Sequence, residues 1–102
     1  MRNRNTNGRG GSWTPEQIEA VWRKGRIVTN NDPQIFRKDA CNAWMRRDQY
    51  GLTTQYGWEI DHIKPVASGG GDELSNLEPL QWENNRHKAD SWPNWSCLIS
   101  AA

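Results

Sequence analysis

Apolar residues recur along this chain in two different rhythms. Between Thr14 and Gly25, residues Ile18, Val21 and Trp22 fall at i, i+3 and i+4, the stripe of a helix that buries one face. Thr14 can cap such a helix, Pro15 suits its first position and Gln17 can close a capping box, so the spacing predicts a helix over 15–24, stopped by Gly25. Arg26–Thr29 reads as a short strand closed by the turn residues Asn30-Asn31-Asp32-Pro33. Residues 34–47 fit either one irregular helix or a helical turn and then a strand; the preferred reading is a helical turn near 33–38 and a strand near 43–46.

The second rhythm starts after a loop at Tyr50–Gly57. Trp58 to Ile63 alternates in part and is stopped by Pro65, which cannot extend a central strand. Ser68-Gly69-Gly70-Gly71-Asp72 is a loop that needs positive φ, and Leu77 and Leu80 around Pro79 form a short extended piece able to pair with 58–62. Trp82–Asp90 reads as a helix without a strong cap, ended by Ser91-Trp92-Pro93. Strand, loop, strand and helix follow one another locally, which predicts an α+β architecture: an antiparallel hairpin plus helix, with a helical N-terminal extension.

Composition narrows the picture. With 102 residues the chain is one small domain, 13–102, preceded by a basic arm at 1–12 that is expected to be flexible. Only 34% of residues are apolar but seven are Trp; Trp22, Trp44, Trp58 and Trp82 are the expected core, while Trp13, Trp92 and Trp95 are expected to pin the termini. No run approaches the length of a membrane span, and the first residues lack the apolar centre of a secretory signal. Cys41 and Cys97, in no Cys-x-x-Cys pair, are expected as free thiols in a reducing, cytoplasmic compartment, with a bridge between them left open. Charge is uneven: residues 1–50 hold ten Lys/Arg against five Asp/Glu, a net of +5, and residues 51–102 hold three against seven, a net of −4. A basic half can neutralise phosphates and an acidic half can hold a cation.

The densest chemistry lies in Asp61-His62-Ile63-Lys64-Pro65, then Gly69-Gly70, then Asn76-Leu77 and Pro79-Leu80, then Asn85 with Lys88 three residues later. With these residues at these spacings the chain resembles the HNH endonucleases, whose core is the two-strand-and-helix ββα-metal fold, over about residues 56–90. Asn85 stands at the family's helix-ligand position, so the resemblance implies a His-Asn-Asn version. His87 lies two residues on, about 200° around a helix, and should face away from Asn85. The Cys-x-x-Cys pairs with which many members bind zinc are missing; Gln81 and Asn84 stand at the helix-side positions, and no structural zinc is expected.

What the resemblance implies follows from the residue types. Asp61 and Asn85 would ligate a divalent metal through hard oxygens, Mg²⁺ or Mn²⁺. His62 would be the general base that takes a proton from water, and Asn76 would hold its imidazole by hydrogen bonding. Lys64, Arg86 and Lys88 would meet the phosphates flanking the cut, with Arg2, Arg4, Arg9, Arg46 and Arg47 extending the footprint along double-stranded DNA. The implied activity is metal-dependent hydrolysis of DNA phosphodiester bonds; the competing readings are a ββα module that has lost cleavage and binds nucleic acid or belongs to a larger nuclease assembly, and a toxin domain. Strict alternation sets Asp61 and His62 on opposite faces of a strand, so both can serve one site only where regular pairing ends.

Overall fold

A computed structural model describes residues 4–101. It is an α+β fold of two helices and two antiparallel hairpins: α1 (Pro15–Trp22), β1 (Phe36–Lys38), β2 (Trp44–Arg46), β3 (Trp58–His62), β4 (Leu77–Gln81) and α2 (Trp82–Lys88). Three short 3-10 turns, Arg47–Gln49, Val66–Ser68 and Leu74–Asn76, shape the connections. No described helix is long and apolar enough to cross a membrane.

The capping box forms as the sequence predicts. Thr14 Oγ1 accepts from Gln17 N at 3.1 Å and Gln17 Oε1 accepts from Thr14 N at 2.9 Å. α1 ends at Trp22, two residues early, because the Lys24 and Gly25 N–H groups donate to Val21 and Trp22 carbonyls and tighten the last turn.

β3 and β4 pair from Trp58↔Gln81 to His62↔Leu77. Alternation divides β3 into two faces. Trp58 and Ile60 join Val21, Trp22, Met45, Leu77 and Trp13 in the apolar core, with Trp22 and Trp58 rings 5.2 Å apart and Tyr50 4.9 Å from Trp58. Glu59 and Asp61 face α2 instead, meeting Asn85 and Lys88. Pro79 sits inside β4 opposite Ile60. The Ile60 N–H points away from β4, donating to Asn5 Oδ1 at 2.8 Å, so this is a non-hydrogen-bonded pair and Pro79 has no ladder bond to lose.

Several expectations are corrected. Phe36–Lys38 is a strand and not a helical turn, because Arg26 and Arg46 flank Lys38 and Phe36 as antiparallel partners. The expected strand at 26–29 is reduced to that one bridge at Arg26. Trp13 is buried, whereas Trp44 and Trp82 are half-exposed: Trp44 stacks under the Lys38 ammonium and Trp82 under the Arg86 guanidinium. α2 does have a cap, since Gln81 Oε1 accepts from Glu83 N at 2.8 Å and Asn84 N at 3.2 Å.

The two thiols are not free. Cys41 and Cys97 form a disulfide across 56 residues, so the inference of a reducing compartment loses its premise. The bridge ties the C-terminal tail to the β1–β2 hairpin, and Asn84 Oδ1 holds the same tail by accepting from Leu98 N at 2.8 Å and Ile99 N at 2.7 Å. Buried Asp39 completes this corner, accepting from Cys41 N, Ala43 N, Gln81 N and Asn84 Nδ2. Closing so long a loop restricts the unfolded chain, and reduction is expected to lower the unfolding free energy by about 4 kcal/mol, less any strain the bridge carries. Urea midpoints with and without reductant check this; equal midpoints would refute it.

Of the segment expected as a flexible arm, residues 1–3 lie outside the described residues. Residues 4–12 contact the hairpin: Asn5 Oδ1 accepts from Ile60 N and from Tyr50 Oη at 3.1 Å, and Gly8 N donates to the Asp72 carboxylate at 2.9 Å.

Candidate active site

At the end of β3 the chain must turn sharply, and the glycines make this possible. Gly69 adopts φ 95°, and a Cβ on Gly70 would lie 1.7 Å from the Lys64 carbonyl oxygen. Asn76 clasps the loop shut: its Oδ1 accepts from Lys64 N at 2.9 Å, and its Nδ2 donates to Lys64 O at 3.1 Å and Gly71 O at 2.9 Å. The expected bond from Asn76 to the imidazole is therefore corrected. All three amide bonds go to backbone, and Asn76 acts by shaping the loop that follows His62.

The imidazole has a different partner. His62 Nε2 lies 2.7 Å from Asp72 Oδ1, and the Trp13 ring packs 5.5 Å from the His62 ring. Asp72 closes the glycine loop and was expected there only as a turn residue. Its carboxylate turns toward His62 because Asn76 draws Gly71 in against Lys64.

A cleft of about 360 Å³ opens beside this turn, lined among others by Arg4, Asn5, Asp61, His62, Asn85 and Arg86. Asp61 and His62 leave β3 on opposite faces, yet both reach the cleft because it wraps the strand's end, where pairing stops. Asn85 reaches it from α2. The sequence-predicted Asp61, His62 and Asn85 are thus brought together, and Asn76 stands behind them. His87 is exposed and outside the cleft.

Asp61 is buried against Lys88, whose Nζ lies 3.3 Å from Oδ1 and 3.2 Å from Oδ2 and donates to the His62 carbonyl at 3.0 Å. Lys88 is 1% exposed. Its expected contact with a flanking phosphate is corrected on that ground: the ammonium points inward, against the Asp61 carboxyl. Among the described residues, the buried Oδ2 of Asp61 has no hydrogen-bond partner despite the nearby ammonium. Burial, reinforced by the cross-strand neighbour Glu78 and opposed by Lys88, pushes the Asp61 carboxyl up to about 9. A buried carboxyl of this kind gains from a second cation in the cleft.

Asn85 Nδ2 donates to Glu59 at 2.9 Å, and its Oδ1 has no protein hydrogen bond among the described residues. Asp61 and Asn85 both line the cleft, and each carries a side-chain oxygen of the kind that a hard divalent ion keeping several waters takes. Among the described residues no three His, Cys, Asp or Glu side chains cluster to hold a metal, so the fit is to an ion held by few protein ligands.

The remaining cations are distributed unevenly. Arg86 lines the cleft, stacked 4.8 Å over Trp82 and 3.5 Å from Glu59. Lys64 lies 5.2 Å over the exposed Trp92 ring. Arg46 pairs with Asp48 and Arg47 with Glu19, Arg4 lines the cleft, Arg9 is exposed, and Arg2 lies outside the described residues.

Residues 47–91 match the family model described as HNH endonuclease. No curated protein and no solved structure matches the chain.

Proposed function

We propose, from the premise that residues 47–91 are an HNH endonuclease domain, that this chain hydrolyses DNA phosphodiester bonds with the help of Mg²⁺ or Mn²⁺. The observation that carries the reading is the convergence of Asp61, His62 and Asn85 on one cleft. Asp61 and Asn85 would hold the ion. When bound, it supplies positive charge to a non-bridging phosphate oxygen and to the departing 3′ oxygen.

The chain's own residues do the rest. With Nε2 held on Asp72, Nδ1 of His62 is left as the nitrogen that takes a proton from the attacking water. Asp72 then faces the imidazolium that forms and stabilises it, as a carboxylate behind a catalytic histidine does. Trp13 packs against the ring. Arg4 and Arg86, with Lys64 close by, offer positive charge to the phosphates on either side. Water attack with loss of the 3′ oxygen leaves 5′-phosphate and 3′-hydroxyl ends. The sequence carries no recognition-helix or zinc-finger pattern for reading bases, in keeping with a shape- or nick-type preference on double-stranded DNA over a long specific sequence.

Supercoiled plasmid incubated with the protein tests this. Nicking is expected with Mg²⁺ or Mn²⁺ and none with chelator, and the nicks should be sealed by DNA ligase without end repair. Retarded plasmid mobility without nicks in either metal would favour a module that binds and does not cut.

A further inference from the structure

Glu59 stands two residues before Asp61 on β3, so both side chains leave the same strand face toward α2. There Glu59 is 4% exposed, accepts from Asn85 Nδ2 at 2.9 Å and has the Arg86 guanidinium at 3.5 Å. A carboxamide carries two chemically different ends on one short rotor, and only its oxygen is of use to a cation. We infer that Glu59 is a positioning residue that selects the orientation of the Asn85 amide and so presents Asn85 Oδ1 to the metal; this rests on the reading of Asn85 as a ligand.

The selection is chemical. A carboxylate can only accept, so it takes the amide NH₂ and turns the oxygen toward the cleft. The reversed amide would set two acceptors against each other in a buried place and aim N–H groups at the cation, both unfavourable. Arg86, stacked on Trp82, braces the carboxylate from its other side. Ligand orientation by such outer partners typically accounts for about 10–100-fold in metal affinity.

Mn²⁺ titrated calorimetrically into the metal-free protein reads the effect with no turnover. Glu59→Gln keeps the side chain's shape but offers an amide that can donate or accept, so the choice of orientation is lost. It is expected to weaken Mn²⁺ binding about tenfold or more in the otherwise unaltered protein. In an Asn85→Asp background the same change is expected to cost nothing, because two like oxygens leave no orientation to select and can accept from the new amide. Similar weakening in both backgrounds, through lost charge or a disturbed fold, overturns the inference, as does undiminished binding by Glu59→Gln alone. Should the unaltered protein itself bind no Mn²⁺, the Asn85 reading fails and this inference falls with it.

Discussion

Nicking of supercoiled plasmid by the His62→Ala protein is expected to fall by about 10²–10⁴-fold, the range a positioned general base contributes, with Mn²⁺ binding retained. His62 is the histidine lining the cleft, its Nε2 is engaged by Asp72, and in the proposed mechanism Asp61 and Asn85 hold the ion without it. Removing the imidazole takes away the proton acceptor and leaves the ion's ligands in place. His87→Ala, by contrast, removes an exposed ring outside the cleft and is expected to keep most of the activity. Calorimetry beside the nicking assay separates the two functions; a His62→Ala protein that still nicks at the unaltered rate would remove His62 from the role of base.

Asp61→Ala is expected to abolish metal binding and nicking together, and Asp61 also sets a pH dependence with a definite sign. In the metal-free protein its carboxyl is pushed up to about 9, chiefly by burial. At neutral pH the ion must therefore displace a proton, so Mg²⁺ affinity should rise with pH, by up to about tenfold per unit, and level off near pH 9. Stability without metal runs the other way. A raised folded-state value means the contribution of this group is fully present below the ordinary carboxylate range and is lost as pH rises through about 9. Mg²⁺ should hence protect the fold most at the alkaline end. Thermal transitions across pH 6–9, with and without Mg²⁺, check both signs, and a metal-induced shift that shrinks as pH rises would refute the assignment.

How much of this was legible in the sequence depended on how far apart the cooperating residues lie. β3, the glycine turn, β4 and α2 follow one another with short connections, and their register is set by alternation and by the stop at Pro65, so the core and the meeting of Asp61, His62 and Asn85 could be read in advance. β1 could not, because Phe36–Lys38 becomes a strand only against Arg26 and Arg46. The Cys41–Cys97 bridge joins residues whose approach depends on the whole fold. The roles of Asn76 and Lys88 were misplaced for a related reason: residue type and spacing give the chemistry available, not the direction a side chain takes. Asp72 on the imidazole depends on how tightly the loop closes. Glu59 did leave a signal, since a two-residue step from Asp61 along a strand puts it on the same face.

Asn5 has a bearing on how copies of this chain behave toward each other. The outer flank of β3 is bridged by Tyr50 at Trp58, and an unpaired N–H beyond that bridge invites a neighbouring molecule to add a strand of its own. By occupying the Ile60 amide with its side-chain oxygen, Asn5 denies that position on β3 to another chain. The segment that lines the cleft with Arg4, Asn5 and Thr6 thereby also takes up an edge amide that a second copy would need for pairing.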